Sequence, residues 1–154
     1  MTTTAALTNR GELDLLRLSG PDLDAMYRDA TAGAIPRGEG RGTAILVPGR
    51  GVGRVLATIT TRAAWQGKVI DDDGGHLVNL VSPLRRRAIR AKVYEGDSWF
   101  DGGRSIFIDY SATSLIARWV HDEIREVAPG LFLGLVYLRS HRLPLRFVLD
   151  FAPR

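Results

Sequence analysis

The chain has 154 residues, 45% hydrophobic and 25% charged, which is typical of one soluble globular domain with a proper core. No apolar run approaches the ~20 residues of a membrane-spanning helix, and the N-terminus lacks the basic and apolar segments of a signal peptide, so we expect a cytoplasmic protein. The absence of cysteine excludes disulfides, thiolate catalysis and cysteine-based zinc sites, while a net charge of +4 permits anionic partners.

The N-terminal part of the chain predicts an arm followed by one helix. Residues 1–19 show weak order, and we expect them to form an arm on a single domain that spans residues 20–154. Ser19 suits the N-cap of a helix, and Pro21 and Asp22 suit its first turn. The helix is expected to end near Gly33, and its apolar stripe consists of Leu23, Met26, Tyr27 and Ala30.

The middle of the chain predicts short strands joined by glycine-rich or acidic segments. A strand over 43–47 leads into a glycine loop over 48–54 and a helix-like stretch. This order suggests a phosphate-binding loop, but the glycine spacing fits neither a dinucleotide-binding nor a Walker motif, so a plain turn is favoured. Residues 65–70 and 76–82 predict strands, and the three aspartates between them predict a solvated turn rather than a cation site.

The second half of the chain predicts consecutive β-strands. Residues 143–151 alternate, with five apolar side chains on one face, as in a strand with one packed side. Residues 131–138 are apolar on both faces, which indicates a strand that is covered on both sides or lines an apolar cavity. Residues 88–94 and 105–110 complete this set. The basic cluster of Arg85, Arg86, Arg87 and Arg90 lacks interleaved aromatic residues, so a solvated turn and strand face is favoured over nucleic-acid binding.

Several short motifs resemble a bacterial family named for its GXWXG motif. Leu23-Asp-Ala-Met-Tyr27, Gly40-Arg-Gly42 and Trp65-Gln-Gly-Lys68 occur in the order that family shows, and the second half resembles the domain of unknown function that accompanies it. The hairpin over 122–134 also resembles that of lipocalin-like barrels. The family has no settled activity, so the resemblance implies a fold rather than a reaction.

The fold implied by the resemblance is mainly β: a single antiparallel lipocalin-like β-barrel with one or two short N-terminal helices. Residues 114–127 fit a helix by propensity, but the resemblance makes them a strand. Lipocalins pack a first-strand Trp against a last-strand Arg, and Trp65 and Arg146 occupy the corresponding positions here.

A barrel of about eight strands has an interior wide enough for side chains or one small ligand. The residues expected to line it, either as a cavity or as a filled core, are Trp65, Trp99, Phe107, Trp119, Phe132, Leu135, Tyr137 and Phe147. The candidate catalytic residues are Asp109, Tyr110, His121 and Glu123, since a carboxylate or imidazole in a pocket can transfer protons. The alternative for His121 and Glu123 is a wet strand face.

The leading hypothesis is a barrel that binds a small hydrophobic molecule, with no cofactor and no metal. The second is a cofactor-free cyclase, isomerase or hydratase that acts on a hydrophobic substrate in the same pocket. A haem ligated by His121 is a third hypothesis, and an anion or nucleic-acid module at Arg85–Arg90 is the last. The sequence leaves open whether the protein forms a homodimer.

Overall fold

Eight strands close an antiparallel barrel in which each strand pairs with the next along the chain and the last returns to the first. The computed structural model describes residues 11, 14–46, 65–81, 86–113 and 117–152. The strands are β1 Gly38–Leu46, β2 Trp65–Ile70, β3 His76–Val81, β4 Arg86–Asp97, β5 Arg104–Asp109, β6 Val120–Ala128, β7 Leu131–Leu138 and β8 His141–Asp150, and helix α1, Gly20–Asp29, precedes them. The prediction of a mainly β, single antiparallel barrel is confirmed. Of the strand predicted over 114–127, residues 120–127 lie in β6, residues 117–119 form a turn instead, and residues 114–116 lie outside the described residues. The glycine loop over 48–54, most of the helix-like stretch and residues 1–10 lie outside the described residues.

Helix α1 begins where the sequence predicts. The Ser19 side chain accepts a hydrogen bond from the Asp22 backbone N–H, and Pro21 stands in the first turn, where a missing N–H costs nothing. The helix ends at Asp29, with Ala30 as its C-cap, a few residues before the predicted end. It lies on the outside of the barrel, where Asp24 accepts hydrogen bonds from Arg142 and Arg146 of β8. Among the described residues, no helix is long and apolar enough to span a membrane.

The strands bury apolar side chains on both of their faces. The interior cluster includes Ile70, Leu77, Ala91, Val93, Ile106, Ile108, Tyr110, Ile124, Phe132, Val136, Leu145, Phe147 and Leu149. A second cluster lies on the outer face beneath α1 and contains Leu15, Leu23, Tyr27, Ile45, Leu131, Leu133, Leu135, Tyr137 and Val148. Side chains alternate between the two faces of a strand, and both faces of β7 are covered, so β7 is apolar throughout.

Two glycines permit close approaches inside the barrel. A Cβ on Gly134 of β7 would lie 2.2 Å from the Phe147 ring of β8, so only glycine allows that ring to approach the strand so closely. Gly67 has a φ of +143° at a register shift in β2, and a Cβ there would lie 2.0 Å from the Gly40 carbonyl oxygen. This bulge immediately precedes Lys68, which lies on the interior face.

Candidate functional site

Four polar side chains are buried together inside the apolar barrel: Lys68, Asn79, Tyr110 and Asp122. They come from β2, β3, the end of β5 and β6, and their exposed fractions are 3%, 6%, 3% and 4%. Lys68 lies opposite Asn79 in the β2–β3 ladder, and Asp122 lies opposite Ile108 of the interior cluster, so all share the inward face. We call these four residues the interior polar cluster.

Lys68 is the centre of the interior polar cluster. Its ammonium donates hydrogen bonds to Asn79 Oδ1 at 2.9 Å, to Asp122 Oδ2 at 3.2 Å and to the Tyr110 hydroxyl. Asn79 Nδ2 donates to the Tyr110 hydroxyl and to the Ile89 carbonyl, both at 3.1 Å. The Tyr110 hydroxyl donates in turn to Asp122 Oδ2 at 3.4 Å. Every member is therefore bonded to at least two others.

The protonation of the interior polar cluster follows from burial and from the charges it contains. Burial opposes the ammonium, but the charges and hydrogen bonds of Tyr110 and Asp122 raise the pKa of Lys68 above its usual value. Burial raises the pKa of Tyr110, against the charge of Lys68, so the hydroxyl keeps its proton at neutral pH. Burial also raises the pKa of Asp122, and the Lys68 ammonium opposes this.

One inward-facing residue of β1 is exposed. Ala44 of β1 lies opposite Phe147 of β8 and therefore faces inward, yet it is exposed. The Phe147 ring centroid is 5.4 Å from Lys68 Nζ. The ring lies against Gly134 on its other neighbouring strand, which leaves the β1 side lined by Gly42 and Ala44. Two small residues of β1 thus lie beside Phe147, whose ring is close to the ammonium.

The structure divides the residues predicted to line the interior. Phe132 and Phe147 lie inside, as does Tyr110 of the predicted catalytic set. Trp99, Phe107 and Tyr137 gather on the outside, where the Trp99 ring contacts those of Phe107 and Tyr137 at 5.8 and 5.3 Å. Leu135 also lies outside, in the cluster beneath α1, and Trp119 is 42% exposed in the turn before β6. The side chain of Trp65 lies outside the described residues.

Three of the predicted catalytic residues also lie on the outer face: Asp109, His121 and Glu123. Phe107 lies opposite Glu123 and Asp109 opposite His121, while Ile106 and Ile108 between them face inward. The expectation that these side chains face the interior is corrected. The physical reason is that α1 and the β4–β5 hairpin cover the outer face of β5 to β7. Both faces of these strands can therefore carry bulky or polar residues, and such residues do not mark the inward face.

His121 and Asp109 lie within hydrogen-bond distance of each other on the outer face. His121 Nε2 lies 2.9 Å from Asp109 Oδ1, and the Trp99 ring lies 5.0 Å from the imidazole. Burial acts to raise the pKa of Asp109, but hydrogen bonds from Ser111 and the charge of His121 hold this pKa below its usual value. A haem in the interior would need His121 on the other face of β6, and its Nε2 is already paired.

Glu123 anchors other elements to the barrel. Its carboxylate accepts hydrogen bonds from Ser98 Oγ at 2.7 Å, from the Trp99 backbone N–H at 2.5 Å and from the Tyr27 hydroxyl at 3.2 Å. Two residues along the strand, Arg125 donates to both carboxylate oxygens of Asp101 in the same hairpin, at 2.8 and 2.6 Å. These bonds tie the β4–β5 hairpin and α1 to the outer face, which is a structural role.

Sequence reasoning missed Lys68, Asn79 and Asp122 as site residues. A signal is present for Lys68 and Asn79, because each shares a strand face with an interior apolar residue, Ile70 and Leu77 respectively. Asp122 carries the same signal, because it shares a face of β6 with Ile124 of the interior cluster, although its immediate neighbours, His121 and Glu123, are polar.

The turn between β2 and β3 brings three potential metal ligands together. Oxygen or nitrogen atoms of Asp71, Asp73 and His76 lie within 4.8 Å of one another, and both aspartates are exposed. Asp73 Oδ1 accepts a hydrogen bond from the Gly75 backbone N–H at 2.8 Å, which is an ordinary feature of aspartate in turns. The turn predicted for these aspartates is confirmed.

No protein-family model matches the chain, and no curated protein matches it. Among solved structures, the chain is similar to the crystal structure of a protein from Thermomonospora curvata, with a TM-score of 0.55 over 82% of this chain and 83% of that one. The two are 15% identical in sequence, so the likeness shows the fold alone. The resemblance to the GXWXG family stays a prediction.

Proposed function

We propose that the barrel binds a small, mainly apolar molecule in its interior, and that the interior polar cluster holds that molecule's polar group. The observation that carries the proposal is the Lys68 ammonium buried at 3% exposure in an apolar interior. A buried ion pair seldom stabilises a fold more than well-packed apolar side chains of similar volume would. Ionisable groups with perturbed pKa values inside an apolar barrel therefore favour a functional explanation.

The surroundings of the interior polar cluster support an apolar ligand. The Phe147 ring lies near the ammonium and opposite the exposed Ala44 of β1, and the rest of the interior is lined by aliphatic and aromatic side chains. Ligand pockets commonly combine an apolar lining with a few convergent polar groups that fix orientation. The interior of this barrel has both.

Fluorescence titration with N-phenyl-1-naphthylamine, a neutral apolar probe, tests the proposal. We expect saturable binding by the native protein and at least tenfold weaker binding by Lys68→Met, because the ammonium organises the other three polar groups. Lys92→Met is the matched control, since Lys92 is exposed and lies opposite His76 on the outer face. Failure of the native protein to bind the probe, or equal binding by the two variants, would refute the proposal.

A second candidate function is cofactor-free isomerisation or cyclisation of the bound molecule. The Tyr110 hydroxyl, which receives a bond from Lys68 and donates to Asp122, favours it because this chain can deliver and accept a proton within one pocket. The roles first assigned to Asp109, His121 and Glu123 would pass to Asp122 as base and Tyr110 as acid. A ligand recovered from native protein by mass spectrometry should then incorporate deuterium when incubated with the protein in D₂O, and should not with Tyr110→Phe. Absence of incorporation would exclude proton transfer to and from carbon.

A further inference from the structure

We infer that the molecule bound in the barrel is a neutral apolar alcohol whose hydroxyl donates a hydrogen bond to Asp122 Oδ1. This inference rests on the proposed function and specifies the chemical class of its ligand. It follows from an account of the donors and acceptors of the interior polar cluster.

The donors of the interior polar cluster are already engaged. The ammonium of Lys68 donates three hydrogen bonds, to Asn79, Tyr110 and Asp122, and has three protons to give. Both protons of the Asn79 amide are used, on the Ile89 carbonyl and the Tyr110 hydroxyl. The proton of Tyr110 is also engaged, with Asp122 Oδ2 at 3.4 Å and Asn79 Oδ1 at 3.5 Å as its acceptors. A ligand that needs a donor would have to break one of these bonds.

One acceptor in the interior polar cluster is open. The hydrogen bonds to the Asp122 carboxylate from Lys68 and Tyr110 both end on Oδ2, and among the described residues none ends on Oδ1. The Asp122 side chain keeps 6% of its surface accessible. A ligand hydroxyl that donates to this oxygen would form a charge-assisted hydrogen bond in an otherwise apolar interior, where such bonds are strong.

The charge of the interior polar cluster favours a neutral ligand. The positive charge of Lys68 is compensated by Asp122 at 3.2 Å, so no net charge is left to balance that of the ligand. A carboxylate ligand at Oδ1 would place two anions side by side, which raises the free energy of the bound state. A hydroxyl satisfies the oxygen without adding charge, and the apolar side chains of the interior cluster suit an apolar body.

Displacement of N-phenyl-1-naphthylamine by three molecules of similar length tests the inference: 1-decanol, decyl methyl ether and decanoic acid. We expect decanol to displace the probe from the native protein at a concentration about tenfold lower than the ether or the acid, the size of one hydrogen bond to a charged group. Equal potency of decanol and ether, or greater potency of the acid, would overturn the inference while leaving the proposed function intact. A protein that does not bind the probe at all would refute both.

The variant Asp122→Asn sharpens this test because it nearly preserves shape. Its amide oxygen would stay towards Lys68 and Tyr110, and its NH₂ group would take the place of Oδ1. The preference should therefore reverse, with the ether displacing the probe at a lower concentration than decanol. Asp97→Asn is the control, since Asp97 has an 80% exposed side chain. An unchanged preference for the alcohol in Asp122→Asn would contradict the assignment of Oδ1, and circular dichroism checks that the variant is folded.

Discussion

Replacement of Lys68 by methionine should strongly destabilise the barrel. The ammonium and the Asp122 carboxylate are 3.2 Å apart, and at an effective dielectric constant of about 20 their attraction is about 5 kcal/mol. Methionine fills a similar volume but leaves a buried carboxylate without its cation. We expect the free energy of unfolding to fall by about 3–5 kcal/mol, the usual cost of removing one partner of a buried pair.

Urea denaturation at pH 7, followed by tryptophan fluorescence, measures this change as a shift in the midpoint. The double variant Lys68→Met/Asp122→Leu should recover most of the loss and should be within about 1 kcal/mol of the native protein or more stable, because both charges are gone. Lys92→Met should change the stability by less than about 0.5 kcal/mol, since Lys92 is exposed. If Lys68→Met is also within about 0.5 kcal/mol of native, the ammonium is not desolvated as the structure places it, and the reasoning fails.

Three further predictions concern other parts of the fold. Burial acts to raise the pKa of Asp24, but Arg142 and Arg146 of β8 lower it below 3.8. The interaction of Asp24 with these arginines therefore contributes stability above pH 3.8, and this stability is lost as the pH falls through the lowered pKa. Asp24→Asn should lower the free energy of unfolding by about 1 kcal/mol at pH 7 and flatten the acid limb of a stability–pH profile. Gly134→Ala should lower the free energy of unfolding by about 1–3 kcal/mol, measured by thermal unfolding, because the new Cβ meets the Phe147 ring. Adding Phe147→Leu to this variant should lessen the loss. A Gly134→Ala variant as stable as the native protein would contradict the packing. Burial raises the pKa of all four tyrosines above 10.0, and that of Tyr137 to about 12. At pH 10 the phenolate absorbance of the folded protein should therefore be far below that of the urea-unfolded chain. The stability that these pKa shifts contribute should be lost as the pH rises through the folded-state pKa values.

Much of the fold follows from local pattern. The alternation along β8, the two-sided apolar run of β7 and the capping residues of α1 each predict the element that the structure contains. Face assignment could not be predicted in the same way. On β5, Phe107 is as apolar as Ile106 and Ile108, so alternation alone does not say which set faces inward. The answer depends on α1 and the β4–β5 hairpin, which cover the outer face through contacts distant in sequence.

The candidate site was predictable only in part because its members are brought together by barrel closure. Tyr110 was chosen from a strand end, whereas Lys68 and Asp122 are 54 residues apart in sequence and meet only across the interior. The tripeptide around Asp122 drew attention to His121 and Glu123 instead, since those two share a face. That face is the outer one, and the carboxylate between them is the one that reaches the interior.

The interior polar cluster connects stability with function. A barrel that needed only a core could fill this space with apolar side chains, and the double variant at Lys68 and Asp122 makes that replacement directly. Suppose that the double variant is at least as stable as the native protein but no longer distinguishes 1-decanol from decyl methyl ether. The buried charges then serve ligand recognition, because their loss removes selectivity and not the fold. If the double variant retains that distinction, the hydroxyl is recognised elsewhere in the barrel, and Asp122 Oδ1 is not its acceptor.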